Sequence, residues 1–385
     1  MSAVQSFNLK TKIIFGLESI RELPNEGSNY GPKVLIVSGK KALIENGVLS
    51  RIEVLLRGSG FIVTPFYEIE PEPSLDTVAR GLKVAKDNQI DWVIGIGGGS
   101  AMDAAKTIAG LINAERELEY YFEGGRIYHP GVPLVTIPST AGSGAEVTFN
   151  AVLSDLKNKV KKSIRDPLLA ATTTIVDPEL TLSLPSGVTV NSGMDALVQA
   201  IEAYTSKGAT PLTDVYAYSA IERITANIVK VFQNGDDIEA RTEMAMGSLM
   251  AGIALSNARL GAVHGMAHSI GMITGKPHGL ICAVLLVPVM RFNLAVCYEK
   301  YSEVAKALGL KLIANGDAID AAAAGMKYLM SLQRKLAIPQ YIFELGITEA
   351  DFPTIINESL TSGSMKANPR EAKPEDIVNI LSGNI

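Results

Sequence analysis

The first 180 residues alternate short apolar segments with helix-like segments, and this alternation constrains the fold more than any other feature of the chain. Strands separated by helices in this way predict a parallel sheet with helices on both faces. Pro65 weakens the second apolar segment as a central strand, because proline cannot donate to a ladder of hydrogen bonds. The predicted strands are Val34–Ser38, Phe61–Tyr67, Trp92–Ile96, Leu134–Ile137 and Thr174–Val176, and the intervening stretches 74–88 and 101–113 read as helices.

Beyond about residue 185 the pattern changes to helical periodicity with almost no β alternation. A chain of 385 residues also exceeds the size at which one core stops growing. We therefore predict an α/β domain over residues 1–180 and an all-helical domain over residues 181–385. The predicted helices of the second domain include Ala196–Tyr204, Ala217–Phe232, Arg241–Asn257, Ala321–Leu336 and Pro374–Leu381.

Composition narrows the class of protein. The apolar content of 47% and the charged content of 19% are typical of a folded, core-rich enzyme. A net charge of −5 gives no broad basic surface for nucleic acid. The N-terminus lacks a signal-type apolar core, and the longest apolar runs, such as Ile281–Met290, are too short to span a bilayer. With only two cysteines, we expect a cytoplasmic protein without nucleic-acid or membrane partners.

Two loops at predicted strand ends carry residues suited to phosphate binding. Gly97–Ser100 precedes a helix, so its glycines let the backbone approach an anion that the helix N-terminus favours. Pro138–Thr148 supplies serine and threonine hydroxyls. Each loop alone also fits a structural role, as a tight turn or a solvated loop, and the first lacks the G-x-G-x-x-G spacing of an ordinary Rossmann site. Together, at neighbouring strand ends, they predict a dinucleotide site.

Three of the four histidines, His264, His268 and His278, lie within residues 258–282. Neutral imidazole is a common ligand of zinc and iron and carries protons near neutral pH. A lone histidine among apolar neighbours is usually a core residue, but three in one short stretch favour a functional role. His264 and His268 are four residues apart and share a helix face, so spacing alone leaves both as candidate metal ligands.

The other half of a metal site is predicted at the start of the helical domain. Asp195 and Gln199 are four residues apart on its first helix, and we expect both to point into the interdomain cleft. Asp195 also fits a helix-start residue favoured by the helix dipole. Beside the histidines, a ligand role for Asp195 is the preferred interpretation.

In this order and spacing, the motifs resemble those of the iron-containing (group III) alcohol dehydrogenase family. The resemblance covers essentially the whole chain. It implies an N-terminal dinucleotide-binding domain, a C-terminal helical domain that binds metal and substrate, and an active site in the cleft between them. The motifs that carry it are Thr11–Gly16, Gly97–Lys106, Pro138–Thr148, Asp177–Thr181, Gly193–Tyr204, Asn257–His268, Pro277–Gly279 and Asn368–Arg370.

The family's metal is held by one aspartate and three histidines. The matching positions here are Asp195, His264 and His278, whereas Gln199 stands where the family usually has histidine. An amide oxygen is a harder and weaker donor than imidazole toward zinc or iron, so Gln199 is predicted as a weak fourth ligand or an onlooker, and we expect Fe²⁺ or Zn²⁺ to be held more loosely. The resemblance assigns His268 to proton transfer rather than to metal binding.

The resemblance also places the cofactor and the substrate. NAD-preferring members commonly carry an aspartate at the end of the first strand, but this chain has Ser38, Gly39, Lys40 and Lys41 there. The absence of a carboxylate and the presence of two lysines favour binding of a 2′-phosphate, so NADP(H) is predicted over NAD(H). The lysines also fit a solvated helix start. The predicted cofactor residues are Gly39, Lys40, Gly97, Gly98, Gly99, Ser100, Asp103, Ser139, Thr140, Ser143, Thr148, Lys161 (not separable from Lys162) and Leu180, and Asn150 and Leu255 are predicted to line the substrate pocket.

These assignments imply an NAD(P)-dependent alcohol dehydrogenase or aldehyde reductase that acts on a small aliphatic alcohol or aldehyde polarised by a divalent metal. Asp195, His264 and His268 are its predicted catalytic residues, and the family suggests a homodimer or larger oligomer. The alternatives are a metal-independent reductase on the same fold and a degenerate member that binds dinucleotide without turnover. A sugar-phosphate lyase on a related fold is disfavoured, because its cleft would need more basic and metal-binding residues.

Overall fold

The computed structural model describes residues 5–158, 160–311 and 317–383. The chain divides into two compact units. The first, an α/β unit, comprises Leu9–Thr140 and Ala145–Ser183, and the second, a helical unit, comprises Leu184–Ile385 together with Met1–Asn8 and Ala141–Gly144. An N-terminal α/β region followed by a helical region confirms the predicted fold class.

The α/β unit is built on a parallel sheet. Its strands are β1 Lys12–Phe15, β2 Lys33–Gly39, β3 Ile62–Ile69, β4 Trp92–Gly97, β5 Leu134–Pro138 and β8 Thr173–Val176. They lie in the order β1-β8-β5-β4-β2-β3. All five predicted strands are present, and the sheet adds β1 at the edge next to β8. The strand that contains Pro65, β3, lies at the opposite edge, where one side of the strand forms no ladder and needs no donor.

Helices cover both faces of this sheet because alternate side chains of each strand point to opposite sides. In β2, Leu35 and Val37 belong to one apolar core and Val34 and Ile36 to another. The first core packs against α4 (Leu75–Asp87) and α5 (Gly99–Leu111), and the second packs against α3 (Val48–Gly58). The helices of this unit are α1 Leu23–Gly27, α2 Ala42–Glu45, α3 Val48–Gly58, α4 Leu75–Asp87, α5 Gly99–Leu111 and α6 Leu118–Phe122.

An antiparallel hairpin, which the sequence pattern did not predict, forms a second small sheet in the α/β unit. Its strands are β6, Asn150–Asp155, and β7, Val160–Arg165. The hairpin places Asn150 and Lys161, two predicted site residues, on strands rather than in loops.

The helical unit is organised around two helices, α7 (Ser186–Thr205) and α11 (His278–Ala307), which share one large apolar core. Capping fixes where its helices begin: Thr210 accepts a hydrogen bond from the Thr213 N–H before α8, and Asp237 accepts one from Ala240 before α9. The helices are α7 Ser186–Thr205, α8 Pro211–Gln233, α9 Ile238–Ala258, α10 Ala262–Thr274, α11 His278–Ala307, α12 Ala318–Lys335, α13 Phe352–Thr361, α14 Gly363–Ala367 and α15 Pro374–Ser382.

Helix α11 differs from the expectation that the apolar segments are too short to span a bilayer. It runs for 30 residues, and its length and composition alone would allow it to cross a membrane. However, 67% of its most apolar window is buried inside the protein. Burial of this extent is typical of the central helix of a bundle, which is apolar on most of its circumference.

Candidate metal centre

One face of α7 carries the acidic half of the candidate site. Asp195, Gln199 and Glu202 are spaced by four and three residues, so they line the same side of the helix. All three are buried, with exposed fractions of 7%, 4% and 5%. Sequence analysis singled out the first two but not Glu202, although its spacing from Asp195 was a signal that could have found it.

The histidines reach this face from two other helices. His264 lies in the first turn of α10, and His278 is the first residue of α11. Close packing of α11 on α7 requires Gly279, because a Cβ atom there would lie 2.0 Å from the Asn191 carbonyl oxygen of α7. The missing side chain therefore lets the start of α11 reach α7 beside Asp195.

Donor atoms from these residues converge. His264 Nε2 lies 3.4 Å and His278 Nε2 lies 3.9 Å from Asp195 Oδ1. One ligand atom from each of Asp195, His264, His278 and Cys282 lies within 4.8 Å of the other three. Oxygen, nitrogen and sulfur donors at this separation are able to surround one metal ion.

Glu202 orients His264 and also caps α10. Its Oε2 lies 2.5 Å from His264 Nδ1, and its Oε1 accepts a hydrogen bond of 2.7 Å from the Val263 N–H. Asn368 accepts a second bond at this helix end, from the Ala262 N–H. With Nδ1 held by a carboxylate, the His264 ring turns Nε2 toward Asp195, which is the arrangement found behind metal-binding histidines.

Several buried polar atoms here have no hydrogen-bond partner: Asp195 Oδ1, His264 Nε2 and Gln199 Oε1. Such atoms are costly in a protein interior unless a ligand or ion satisfies them. The Asp195 and His264 atoms lie 3.4 Å apart, which fits a bound cation, and the oxygen and imidazole donors fit Fe²⁺ or Zn²⁺.

The electrostatics also favour a cation. Burial alone would raise the pKa of Asp195, but the neighbouring His264 and the charge of His278 lower it overall. Burial alone would lower the pKa of His264, but Cys282, Glu202 and Asp195 raise it well above its usual value. The site therefore stabilises positive charge between these side chains, whether a proton or a metal ion supplies it.

Gln199 and His268 lie at the border of the cluster. Gln199 Nε2 donates a hydrogen bond of 3.0 Å to Asp195 Oδ2, whereas the histidines lie nearest to Asp195 Oδ1. The His268 ring stacks on the His278 ring with 5.1 Å between centroids and is only partly buried. Gln199 therefore orients Asp195, and His268 lies next to the donor atoms on the more exposed side.

Cys282 was not among the predicted site residues. It lies four residues after His278 on α11, so both side chains project from the same face of that helix. Its Sγ is 3.5 Å from His278 Nε2, and the residue is fully buried. Burial raises the pKa of the Cys282 thiol to about 12. The spacing of four from His278 was the available signal in the sequence.

The α/β unit presents the predicted phosphate loops at a reversal of strand order. The chain moves from β2 outward to β3 and then returns to β4 on the other side of β2. In such sheets ligands bind beyond the carboxyl ends of the strands at this switch point. Gly39 ends β2, Gly97 ends β4 and Pro138 ends β5.

Gly97 is required where β4 turns into α5. Its φ of 144° is a conformation that other residues rarely adopt, and a Cβ there would lie 2.9 Å from the Ala101 Cβ. The second loop lies against the first, since the Ser139 N–H donates to the Gly97 carbonyl and Thr140 is the nearest side chain to Gly98. The structure thus brings the N-terminus of α5 together with Ser139 and Thr140.

The remaining predicted residues of this loop region meet at a buried lysine. Lys106 Nζ donates hydrogen bonds to Asp103 Oδ1 at 2.9 Å, to Thr148 Oγ1 at 2.9 Å and to the Asn150 carbonyl oxygen at 2.7 Å. Lys106 has no exposed surface. Asp103 and Lys106 are the only charged residues of α5, and this isolation within an apolar helix was the signal for their pairing.

Lys161 and Lys162 are separated by the structure. Lys161 pairs with Glu72 at 2.6 Å and its side chain is 9% exposed, whereas Lys162 pairs with Glu123 and is 43% exposed. The Glu72 N–H donates to Ser100 Oγ, which places the pair beside the first phosphate loop. Lys161 is therefore the lysine that lies near the cofactor residues.

Three predicted residues lie apart from these clusters. Leu180 is buried in the second apolar core of the α/β unit, in a 3-10 helix. Leu255 packs in an alanine-rich cluster on α9. Ser143 belongs to the helical unit, in the segment Ala141–Gly144, and not to the unit that carries Ser139 and Thr140.

Replacing Glu202 with glutamine should weaken metal binding about 10- to 100-fold, because the substitution removes the carboxylate that orients His264. Metal affinity measured by competition with a chelator tests this, and Glu222→Gln on the exposed side of α8 is the matched control. Equal affinity in Glu202→Gln and the unaltered protein would show that Glu202 serves only as a helix cap.

Comparison with known proteins finds members of one enzyme family that match both units of the chain. A model described as iron-containing alcohol dehydrogenase matches residues 10–178, and one for the C-terminal part of the Fe-containing alcohol dehydrogenase family matches residues 189–385. The 1,3-propanediol dehydrogenase of Klebsiella pneumoniae is 36% identical over 367 residues, which cover 93% of this chain and 95% of the relative.

Two further relatives extend this comparison. The NAD-dependent methanol dehydrogenase of Bacillus methanolicus is 34% identical over 380 residues, 98% of each chain. A solved structure of a 1,3-propanediol oxidoreductase superposes with a TM-score of 0.96 at 34% identity and covers 100% of both chains. Similarity of this extent, over both units, leaves no part of the chain outside the match to that structure.

Proposed function

The chain belongs to the iron-containing alcohol dehydrogenase family, and we propose that it interconverts small aliphatic alcohols and aldehydes at a divalent metal held by Asp195, His264 and His278. The family establishes an alcohol dehydrogenase or aldehyde reductase that uses a nicotinamide cofactor. The choice of residues, metal, cofactor and substrate is the part that we propose.

One observation carries the proposal: the unpartnered Asp195 Oδ1 and His264 Nε2 are buried 3.4 Å apart, with His278 Nε2 beside them. An interior that contained no ion would leave these polar atoms uncompensated. When bound, the metal supplies Lewis acidity toward the alcohol or carbonyl oxygen, and the nicotinamide supplies or accepts the hydride.

The chain's own residues hold the reactants and move the proton. Glu202 fixes the His264 ring, and Gln199 fixes the Asp195 carboxylate through its second oxygen. We propose that His268 exchanges the hydroxyl proton with water, which its stacking on His278 and its partial exposure support. The proposed reaction at this site therefore consists of the transfer of one proton and one hydride.

The cofactor phosphates are proposed to bind at the start of α5. The N–H groups of this helix end, the hydroxyls of Ser139 and Thr140 and the Lys161 ammonium lie on the same unit near the switch point of the sheet. Each of these groups attracts anions. Lys106 stabilises this arrangement through its hydrogen bonds to Asp103 and Thr148.

We further propose that NADP(H) is preferred. Lys40 and Lys41 follow β2 at the switch point and are exposed, and the strand end offers Ser38 and Gly39 in place of a carboxylate. The NAD-dependent relative keeps NAD(H) as the alternative. The metal identity, Fe²⁺ or Zn²⁺, is likewise a proposal.

Replacing both Lys40 and Lys41 with alanine should raise KM for NADPH about tenfold and leave KM for NADH unchanged, because two exposed cations contribute about 1.4 kcal/mol to binding of a phosphate. Steady-state kinetics with each cofactor test this, and Lys83→Ala, an exposed lysine of α4, is the control. Parallel changes for both cofactors would contradict a role in reading the 2′-phosphate.

The proposed activity is tested with the purified protein and a series of unbranched aldehydes. We expect the protein to oxidise NADPH in the presence of short aliphatic aldehydes, and the loss of NADPH absorbance measures this reaction. With the matching alcohols we expect the reverse reaction. A protein that binds NADPH tightly but turns over none of these substrates would instead be the degenerate member of the family.

A metal-independent reductase is the second candidate, and Gln199 is the observation that favours it. The amide replaces the family's imidazole ligand and is bonded to Asp195 in this structure. In that case neutral hydrogen-bond donors around His268 would stabilise the oxygen of the substrate. A dimeric or larger assembly and a cytoplasmic location stay predictions.

A further inference from the structure

We propose that Cys282 supplies the fourth protein ligand of the metal, as a thiolate, in the place that the family gives to a histidine and this chain gives to Gln199. The inference rests on the proposed function, because it concerns the same metal. It changes the ligand set to one oxygen, two nitrogens and one sulfur.

Geometry is the first argument. Cys282 Sγ lies within 4.8 Å of the donor atoms of Asp195, His264 and His278, and 3.5 Å from His278 Nε2. The i, i+4 spacing on α11 directs Cys282 and His278 to the same side. The residue is fully buried, so the sulfur cannot leave the cluster for solvent without a change of the helix.

The second argument is that the amide nitrogen of Gln199 already supports Asp195. Its Nε2 donates to Asp195 Oδ2, whereas His264 and His278 lie nearest to Asp195 Oδ1. Gln199 Oε1 has no hydrogen-bond partner, so Gln199 is the alternative fourth ligand, and the Cys282 variants distinguish it from the thiolate.

The third argument is chemical. Thiolate is a soft ligand that selects zinc over harder ions, and mixed cysteine and histidine sites commonly hold Zn²⁺. The thiol proton is released to solvent when sulfur binds a divalent ion, which deprotonates a coordinating thiol outright. With Asp195 and Cys282 both anionic, the site around a divalent ion has no net charge, whereas an aspartate with neutral ligands leaves one positive charge. We therefore infer that this chain holds zinc more tightly than Gln199 alone would predict.

Cobalt reconstitution tests the inference without reference to activity. The full-length protein is freed of metal by chelation, reloaded with Co²⁺ without oxygen, and examined for the near-ultraviolet charge-transfer band that a thiolate gives on cobalt. Cys282→Ser and Cys282→Ala remove the ligand. Cys297→Ser is the matched control, because Cys297 is the other buried free cysteine and lies fifteen residues, about 22 Å, further along α11.

The band should be present in the unaltered protein and in Cys297→Ser, and absent from both Cys282 variants. Equilibrium competition should show that Cys282→Ala weakens Zn²⁺ binding about 100-fold or more, and weakens Mn²⁺ binding much less, because Mn²⁺ prefers harder ligands. A loss of folding would affect both metals equally, so the ratio of the two affinities separates the two effects.

Two results would overturn the inference in different ways. Stoichiometric Co²⁺ without a thiolate band, or a band that survives in Cys282→Ala, would remove Cys282 from the ligand set and leave the proposed function intact. Failure of the unaltered protein to bind Co²⁺ or Zn²⁺ would overturn both the ligand and the metal-dependent function.

Discussion

Replacing His264 with alanine should lower kcat/KM by about 10³-fold or more and abolish most metal binding. The expected size follows from the loss of several kcal/mol of charge stabilisation in the transition state. His264 is buried, its Nε2 faces Asp195, and its Nδ1 is held by Glu202, so the variant loses an oriented ligand. Steady-state kinetics and elemental analysis of the same sample provide the measurement.

His129→Ala is the matched control for this experiment. His129 is the fourth histidine of the chain, and its side chain is 58% exposed beside Glu115. Because His264→Ala leaves the buried Glu202 Oε2 without its partner, a second variant is needed. His278→Ala removes a ligand whose side chain is 28% exposed, at less risk to folding. Full activity in either ligand variant would contradict the metal assignment.

Replacing Lys106 with methionine should lower the free energy of unfolding by about 3 to 5 kcal/mol, because removal of one partner leaves the other partner of a buried ion pair uncompensated. Lys106 has no exposed surface and satisfies the Asp103 carboxylate, the Thr148 hydroxyl and the Asn150 carbonyl. A fall of about 4 to 6 °C in the melting temperature is expected for a chain of 385 residues.

Differential scanning calorimetry measures this effect, and Lys83→Met is the control, because Lys83 forms an exposed pair with Asp87 on α4. The double variant Asp103→Asn, Lys106→Met should recover part of the loss, since it removes the unpaired charge. An unchanged melting temperature for Lys106→Met alone would show that the three acceptors find other partners.

The sequence predicted the strands of the main sheet and the principal helices because their periodicity is strong. It missed β1, since four residues at a sheet edge carry little pattern, and the hairpin of β6 and β7, whose strands mix polar and apolar residues. The length of α11 was also missed, because the apolar run ends at Met290 and contains Pro288, whereas the helix continues to Ala307.

Within the site, the sequence could place residues but not their contacts. Asp195, His264 and His278 were found from residue type and resemblance. Glu202 and Cys282 were not. Their spacing from Asp195 and His278 places them on the same helix faces, but only the packing of α7, α10 and α11 shows that these faces meet at the same donor atoms.

In the α/β unit, Asp103 and Thr148 were predicted to contact the cofactor. Both accept a hydrogen bond from Lys106. The i, i+3 spacing on α5 was a signal for the pairing of Asp103 with Lys106, but no spacing rule identifies Lys106 as the partner of Thr148. Their contact with the cofactor stays a prediction.

The central claim is that Asp195, His264 and His278 hold a metal on which turnover depends, and metal content measured with activity tests it most directly. Anaerobically purified protein is analysed for iron and zinc and assayed for NADPH-linked aldehyde reduction before and after chelation. The account predicts near-stoichiometric metal, loss of activity with the chelator, and recovery when metal is restored. Protein that contains no metal and reduces aldehydes equally well with or without chelator would contradict it.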